Sequence, residues 1–191
     1  MIGPIDGPHY DIEMDEEEPL FIYGTLGKNA SENEECKNAT SEISESEEIF
    51  FHRINGIAAD VDVHPEELKQ NIVLVSLSDS NKIFQMINDE LPFKIGADYI
   101  EIGGRIYKGN DLGIDIIMPN PFNREKFLEI YLAFEPNLLR NIFNVNRGYT
   151  DYVIFNSKSV SHPSISTPPE DLPVLEEGFF LKLAPDKWIP F

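Results

Sequence analysis

Asn71-Ile72-Val73-Leu74-Val75-Ser76-Leu77 is followed by Ser78-Asp79-Ser80-Asn81 and then by Lys82-Ile83-Phe84-Gln85-Met86-Ile87-Asn88-Asp89-Glu90-Leu91. The first block is apolar and rich in β-branched residues, as a strand buried on both faces must be. Ser78 or Ser80 is placed to cap a following helix, because a hydroxyl there accepts a free backbone N–H. Ile83, Met86, Ile87 and Leu91 recur at helical spacing and give that helix one apolar face. Pro92 ends it. The stretch predicts a strand–loop–helix unit of a parallel α/β sheet.

Working outward, Leu20-Phe21-Ile22-Tyr23 reads as a short buried strand stopped by Gly24. Residues 30–51 are polar and acidic, with Ala30, Cys36, Ala39, Ile43 and Phe50 as sparse apolar positions. They predict a surface helix laid over one sheet face. Residues 54–63 read as extended, and Pro65 opens a helical turn at His64-Pro65-Glu66-Glu67-Leu68. Gly103-Gly104 between Tyr99-Ile100-Glu101-Ile102 and Arg105-Ile106-Tyr107-Lys108 predicts a two-residue β-hairpin, since glycine tolerates the positive φ such turns need. Further strands are expected at residues 114–118, 127–133, 151–155 and 178–181, with Trp188 packing near the last. A turn is expected at residues 119–123 and a short helix at 137–143. Residues 1–18 form an extended acidic N-terminal segment, and the Ser/Pro-rich stretch 157–173 a surface loop. The expected fold is a single α/β domain over residues 1–191. It is a three-layer αβα sandwich around a mixed, mostly parallel sheet, with Rossmann- or flavodoxin-like layering.

Hydrophobic residues make up 41% of the 191, enough for one full core. Charge is the unusual feature: net −19, with 18 acidic and 4 basic side chains in residues 1–70 alone. Such a field repels nucleic acid and anionic membranes; a salt-adapted host, a cationic partner or simply a solvated acidic N-terminal region fits it. No stretch approaches the roughly 20 apolar residues of a membrane span. Residues 1–18 lack signal-peptide character, so export would need a segment that this sequence does not contain. Cys36 is the single cysteine, which excludes an intrachain disulfide and a cysteine metal cluster.

Catalytic motifs are sparse. No Gly-x-Ser-x-Gly elbow occurs, and Ser78 stands at the strand-to-helix turn without flanking glycines. As a nucleophile it is a weak candidate; as a loop or cap residue it is ordinary. His9, His52, His64 and His162 have no short-range partner for zinc, and His162 sits in a loop poorly suited to hold a base. The acidic run 15–18 and the pair Asp60 and Asp62 lack the calcium-loop pattern. Gly24-Thr25-Leu26-Gly27-Lys28 echoes a phosphate loop only in part. Asn29-Ala30-Ser31 and Asn38-Ala39-Thr40 match the glycosylation sequon, which matters in a eukaryotic secretory route. No cofactor or metal is implied. Open α/β sheets bind ligands beyond the carboxyl ends of their strands, where strand order reverses. Tyr23, Thr25, Ser78, Asn81 and Asn120 are expected to gather there, uncharged and suited to a neutral sugar or peptide, or to satisfy loop backbone.

The ordered succession of short motifs resembles a known protein family. It comprises Gly3-Pro4-Ile5, Pro19-Leu20-Phe21-Ile22-Tyr23-Gly24-Thr25, Asn71-Ile72-Val73-Leu74 with Ser80-Asn81, and Tyr107-Lys108-Gly109 to Asp111-Leu112-Gly113. Met118-Pro119-Asn120-Pro121-Phe122-Asn123, Asp151-Tyr152-Val153-Ile154-Phe155 and Glu177-Gly178-Phe179-Phe180 complete it. The order is similar to that in the C-terminal region of large bacterial α/β-hydrolase proteins of the esterase or prolyl-oligopeptidase-like kind. The resemblance implies a compact α/β domain beside a catalytic one, with no triad position in this chain. It implies a non-catalytic accessory domain whose partner is a hydrolase domain or another protein. A small-ligand binding module and a stand-alone hydrolase using Ser78 are the alternatives. The acidic, Ser/Asn-rich first helix departs from the family pattern.

Overall fold

The computed structural model describes residues 17–51, 54–142, 145, 150–159, 174–178, 180–184 and 187–190. Within them lies a mixed α/β fold built on one large sheet and few helices. Its seven strands are β1 (Leu20–Tyr23), β2 (Gly56–Ala59), β3 (Ile72–Leu77), β7 (Leu112–Asn120), β8 (Asn123–Ala133), β9 (Tyr152–Asn156) and β10 (Glu176–Gly178). They run in the order β10-β9-β7-β8-β3-β1-β2. Pairs β2/β1, β1/β3 and β3/β8 are parallel; β8/β7, β7/β9 and β9/β10 are antiparallel. The expectation of a mostly parallel sheet is thus met on one side only. β8 is the joint, because the turn after Asn120 sends it straight back along β7 instead of over a crossover helix. Pro119 lies inside β7, so the expected turn is confined to Pro121 and Phe122.

Alternation along the strands divides the core. Ile72, Leu74, Leu128, Ile130, Leu132, Ile114, Ile116 and Ile154 point to one face. Val73, Val75, Leu77, Tyr131, Ala133, Val153 and Phe155 point to the other. The second face is covered by α1 (Ala30–Phe51), whose sparse apolar positions Cys36, Ala39 and Ile43 are fully buried, and by Leu138 and Leu139 of α3 (Pro136–Arg140). A long polar helix thus needs only one narrow apolar stripe to seat itself. Gly113 is required on this face, because a Cβ there would stand 2.4 Å from the Phe155 ring.

The first face is covered by α2 (Lys82–Ile87) and by a three-stranded antiparallel sheet, β4 (Phe93–Ile95), β5 (Tyr99–Ile102) and β6 (Arg105–Lys108). Gly103 and Gly104 both take positive φ in the β5–β6 turn, as that hairpin requires. Met86 does not join the apolar face expected for α2: it is 59% exposed, and Phe84 takes its place beside Ile83 and Ile87. The α-helix ends at Ile87 in a 3-10 turn over Asn88–Glu90, so the spacing that would have carried Met86 and Leu91 to one side is not sustained. The turn expected at His64 is a short 3-10 turn, Glu67–Lys69. β11 (Phe180–Ala184) and β12 (Lys187–Pro190) pair as a separate hairpin. The 1–18 segment up to residue 16, the loop from residue 160 to 173, and the side chains of Phe50 and Trp188 lie outside the described residues.

Asn81, not Ser78 or Ser80, caps α2. Its Oδ1 accepts from the N–H groups of Ile83 (2.9 Å) and Phe84 (3.2 Å), and its amide donates to the Ile22 carbonyl (3.1 Å). The carboxylate of Asp60, at the end of β2, accepts from the Lys82 N–H and the Thr25 hydroxyl, both at 2.6 Å. Three elements therefore meet on two buried side chains. Asn81→Ala should lower unfolding stability by about 2 kcal/mol, a lost cap plus an unsatisfied carbonyl. Urea denaturation would check this, and a change below about 0.5 kcal/mol would contradict it.

Candidate functional site

β1 lies between β2 and β3, so the chain leaves β1 to one side and returns to the other. Strand order reverses there, and this is where open α/β sheets hold ligands. Tyr23, Thr25, Ser78 and Asn81 do gather at these carboxyl ends. Asn120 does not. It ends β7, which runs against β3 and β8, so it sits at the opposite rim of the sheet. There its amide donates to the carbonyls of Leu68 (2.7 Å) and Gln70 (2.8 Å), and its oxygen accepts from the Phe122 N–H (2.9 Å). Asn123 is also committed to backbone, donating to the Lys69 carbonyl.

At the carboxyl ends the crevice is stitched shut. The Leu26 N–H donates to the Ser80 carbonyl (2.8 Å) and the Gly24 N–H to the Val75 carbonyl (3.1 Å). A Cβ on Gly24 would stand 2.7 Å from the Ser80 oxygen, so glycine there permits the two loops to touch. Thr25 is spent on Asp60, and Asn81 on the cap of α2. What remains is a cleft of about 50 Å³ beside Lys28, Glu32, Ser78 and Phe134. Small-molecule sites occupy roughly 300–1,000 Å³. The cleft has room for water, not for a sugar.

The phosphate-loop echo is closed in the same way. The N–H groups of Gly27 and Lys28 donate to Asn33 Oδ1 and Glu32 Oε2, both at 2.7 Å, and the Glu32 N–H donates to Asn29 Oδ1 (3.1 Å). A carboxylate of the chain itself sits where a phosphate would be cradled. Both glycosylation sequons fall at or within α1. Thr40 of the second is buried, with its hydroxyl bonded to the Cys36 carbonyl.

Ser78 is the one non-glycine residue with positive φ (54°) among the described residues. Its N–H is held by the Ala133 carbonyl and its carbonyl by the Ser76 hydroxyl. A strained serine on a strand-to-helix turn has the placement of a nucleophile, but a nucleophile also needs a base. His64, the one histidine among the described residues, stands in the turn before Glu67, whose carboxylate accepts from the His64 backbone N–H. His9, His52 and His162 lie outside the described residues. No hydrogen bond joins Ser78 to an imidazole among the described residues.

The acidic candidates do not converge. Asp60 is buried and bonded, Asp62 is exposed, and Glu17 pairs with Lys126 at 2.7 Å. Asp15 and Glu16 lie outside the described residues. Among the described residues no group of His, Cys, Asp and Glu could hold a metal, and no helix is long and apolar enough to cross a membrane.

Two features escaped the sequence reading. Asp60, weighed from sequence only as a cation ligand with Asp62, instead ties β2 to α2 and to Thr25, and its signal was a carboxylate directly after a strand. Glu176 accepts a bidentate contact from Arg105 (2.8 and 2.9 Å) and a bond from the Tyr107 hydroxyl (2.5 Å), bracing the three-stranded sheet against β10. Burial, and then Glu176, push the Tyr107 phenol above its usual range.

No protein-family model matches this chain, and no curated protein matches it.

Two outcomes check the geometry of this end of the sheet. Cys36 is fully buried, donates to the Val75 carbonyl at 3.3 Å, and has its thiol pushed up by burial. A raised pKa means less thiolate, so a thiol reagent at mildly alkaline pH should react only after unfolding; prompt reaction of the native protein would contradict the packing. Ser78→Gly should raise stability by about 1 kcal/mol, because glycine carries no Cβ penalty at this φ. A destabilised variant in urea melts would show that the hydroxyl matters more than the strain.

Proposed function

We propose that this chain is a non-catalytic accessory or interaction domain, of the kind that follows the catalytic domain in esterase- and prolyl-oligopeptidase-like bacterial proteins. Its fold is read as a three-layer αβα sandwich of flavodoxin-like layering, with α1 and α3 on one side and α2 on the other. Its partner is a hydrolase domain or another protein, and its charge makes nucleic acid and anionic membrane unsuitable partners.

One observation carries the reading: the crevice where such sheets hold ligands is closed by the chain's own hydrogen bonds, and about 50 Å³ is left. The polar groups that would greet a ligand are occupied with capping and bracing. A surface that keeps its shape without a ligand suits a partner protein better than a small substrate.

The left-handed conformation of Ser78 favours one competing reading, a hydrolase in its own right. An ester-hydrolysis assay on the purified chain with p-nitrophenyl acetate, repeated on Ser78→Ala, separates the two. The accessory reading expects background rates from both proteins. Turnover that disappears with the serine would replace it.

A further inference from the structure

β2 is an outer strand of the seven-stranded sheet, paired with β1 and with no other strand among the described residues. It is also unusually apolar. Ile54 is 75% exposed, Ile57 44% and Val61 52%, all three within eight residues of chain and all β-branched. Open strand edges present unpaired N–H and C=O groups, and proteins blunt them with charge, proline or brevity. Two other outer strands follow that rule. β6 begins with Arg105 and ends with Lys108, and β10 is three residues long with Glu176 and Glu177. β2, Gly56-Ile57-Ala58-Ala59, carries neither charge nor proline.

Beyond the apolar edge the field is negative. Asp62 is exposed in the turn after β2, and Glu45 is exposed on α1 next to Ser44, whose carbonyl accepts from the Asn55 amide directly before β2. Lys69 is the one base between residues 54 and 70, and it is already paired with Glu66 at 2.8 Å. A second copy of a chain of net charge −19 would be repelled from this edge. A cationic chain would be drawn to it.

We propose that the β2 edge is a docking strand for an extended, basic segment of another polypeptide, which adds to the sheet beyond β2. Main-chain hydrogen bonds supply affinity, β-branched side chains of the guest pack on Ile54, Ile57 and Val61, and its Lys or Arg residues meet Asp62 and Glu45. This deepens the accessory reading and rests on it. The two fail separately, since the ester assay reads catalysis and the measurement below reads the edge.

The probe is an acetylated, amidated peptide of alternating lysine and valine, titrated into the whole chain and followed by hydrogen exchange. Protection should rise at the amides of Gly56–Ala59, weaken as salt is added, and vanish with a glutamate–valine peptide. Ile57→Lys should weaken binding about tenfold or more, by placing a like charge in the edge. Circular dichroism verifies its fold. If that variant does not fold, Ile54→Lys, on a side chain still more exposed, is read in its place. Unchanged exchange at β2, equal response to the acidic peptide, or self-association of the chain through Ile57 would each overturn the proposal.

Discussion

Two buried polar side chains hold the parallel half of this protein together. Asn81 joins the first turn of α2 to the backbone of β1, and Asp60 joins the same turn to β2 and Thr25. The first free N–H groups of a helix need acceptors. Asn81 and Asp60 supply them, and because the Asn81 amide is bonded to β1 and Asp60 stands at the end of β2, the start of α2 is tied to two neighbouring strands. Beside them the Leu26–Ser80 and Gly24–Val75 backbone bonds draw the β1 and β3 loops together, so the crevice is closed where the helix is seated.

Much of the architecture could be read from residue pattern. The block from Ile72 to Leu77 is uniformly apolar because both faces of β3 are buried, and α1 matches its expected span of residues 30–51 because Cys36, Ala39 and Ile43 keep helical spacing. Gly103-Gly104 fixed its turn by backbone freedom alone. Direction was harder to read. β7 and β9 are as apolar as a parallel strand, and nothing in Ile114 or Val153 says which way a strand runs. The short turn at Pro121 and Phe122 carried that information for β7 and β8 alone, and the β7/β9 and β9/β10 pairings are antiparallel as well.

The position of the candidate residues was legible, and their bonding partners were not. Tyr23, Thr25, Ser78 and Asn81 were expected at the strand ends and are found there. Asn120 was misplaced for the same reason the sheet was misjudged, since its position depends on the direction of β7. Whether a polar side chain faces a ligand or its own backbone depends on contacts across tens of residues, such as Thr25 with Asp60 or Asn120 with Leu68. Local sequence does not encode those distances.

The two-way nature of β8 has a consequence for how the chain gathers itself. β7 and β8 are separated by two residues, whereas residues 24–55 lie between β1 and β2. Closing the longer span costs more entropy by about 2 kcal/mol on the logarithmic loop law. The antiparallel hairpin is therefore the inexpensive nucleus, and β8 offers its second side as a template on which β3, then β1, then β2 can align. The strand laid down at the far end of that sequence, β2, has a partner on one side only among the described residues.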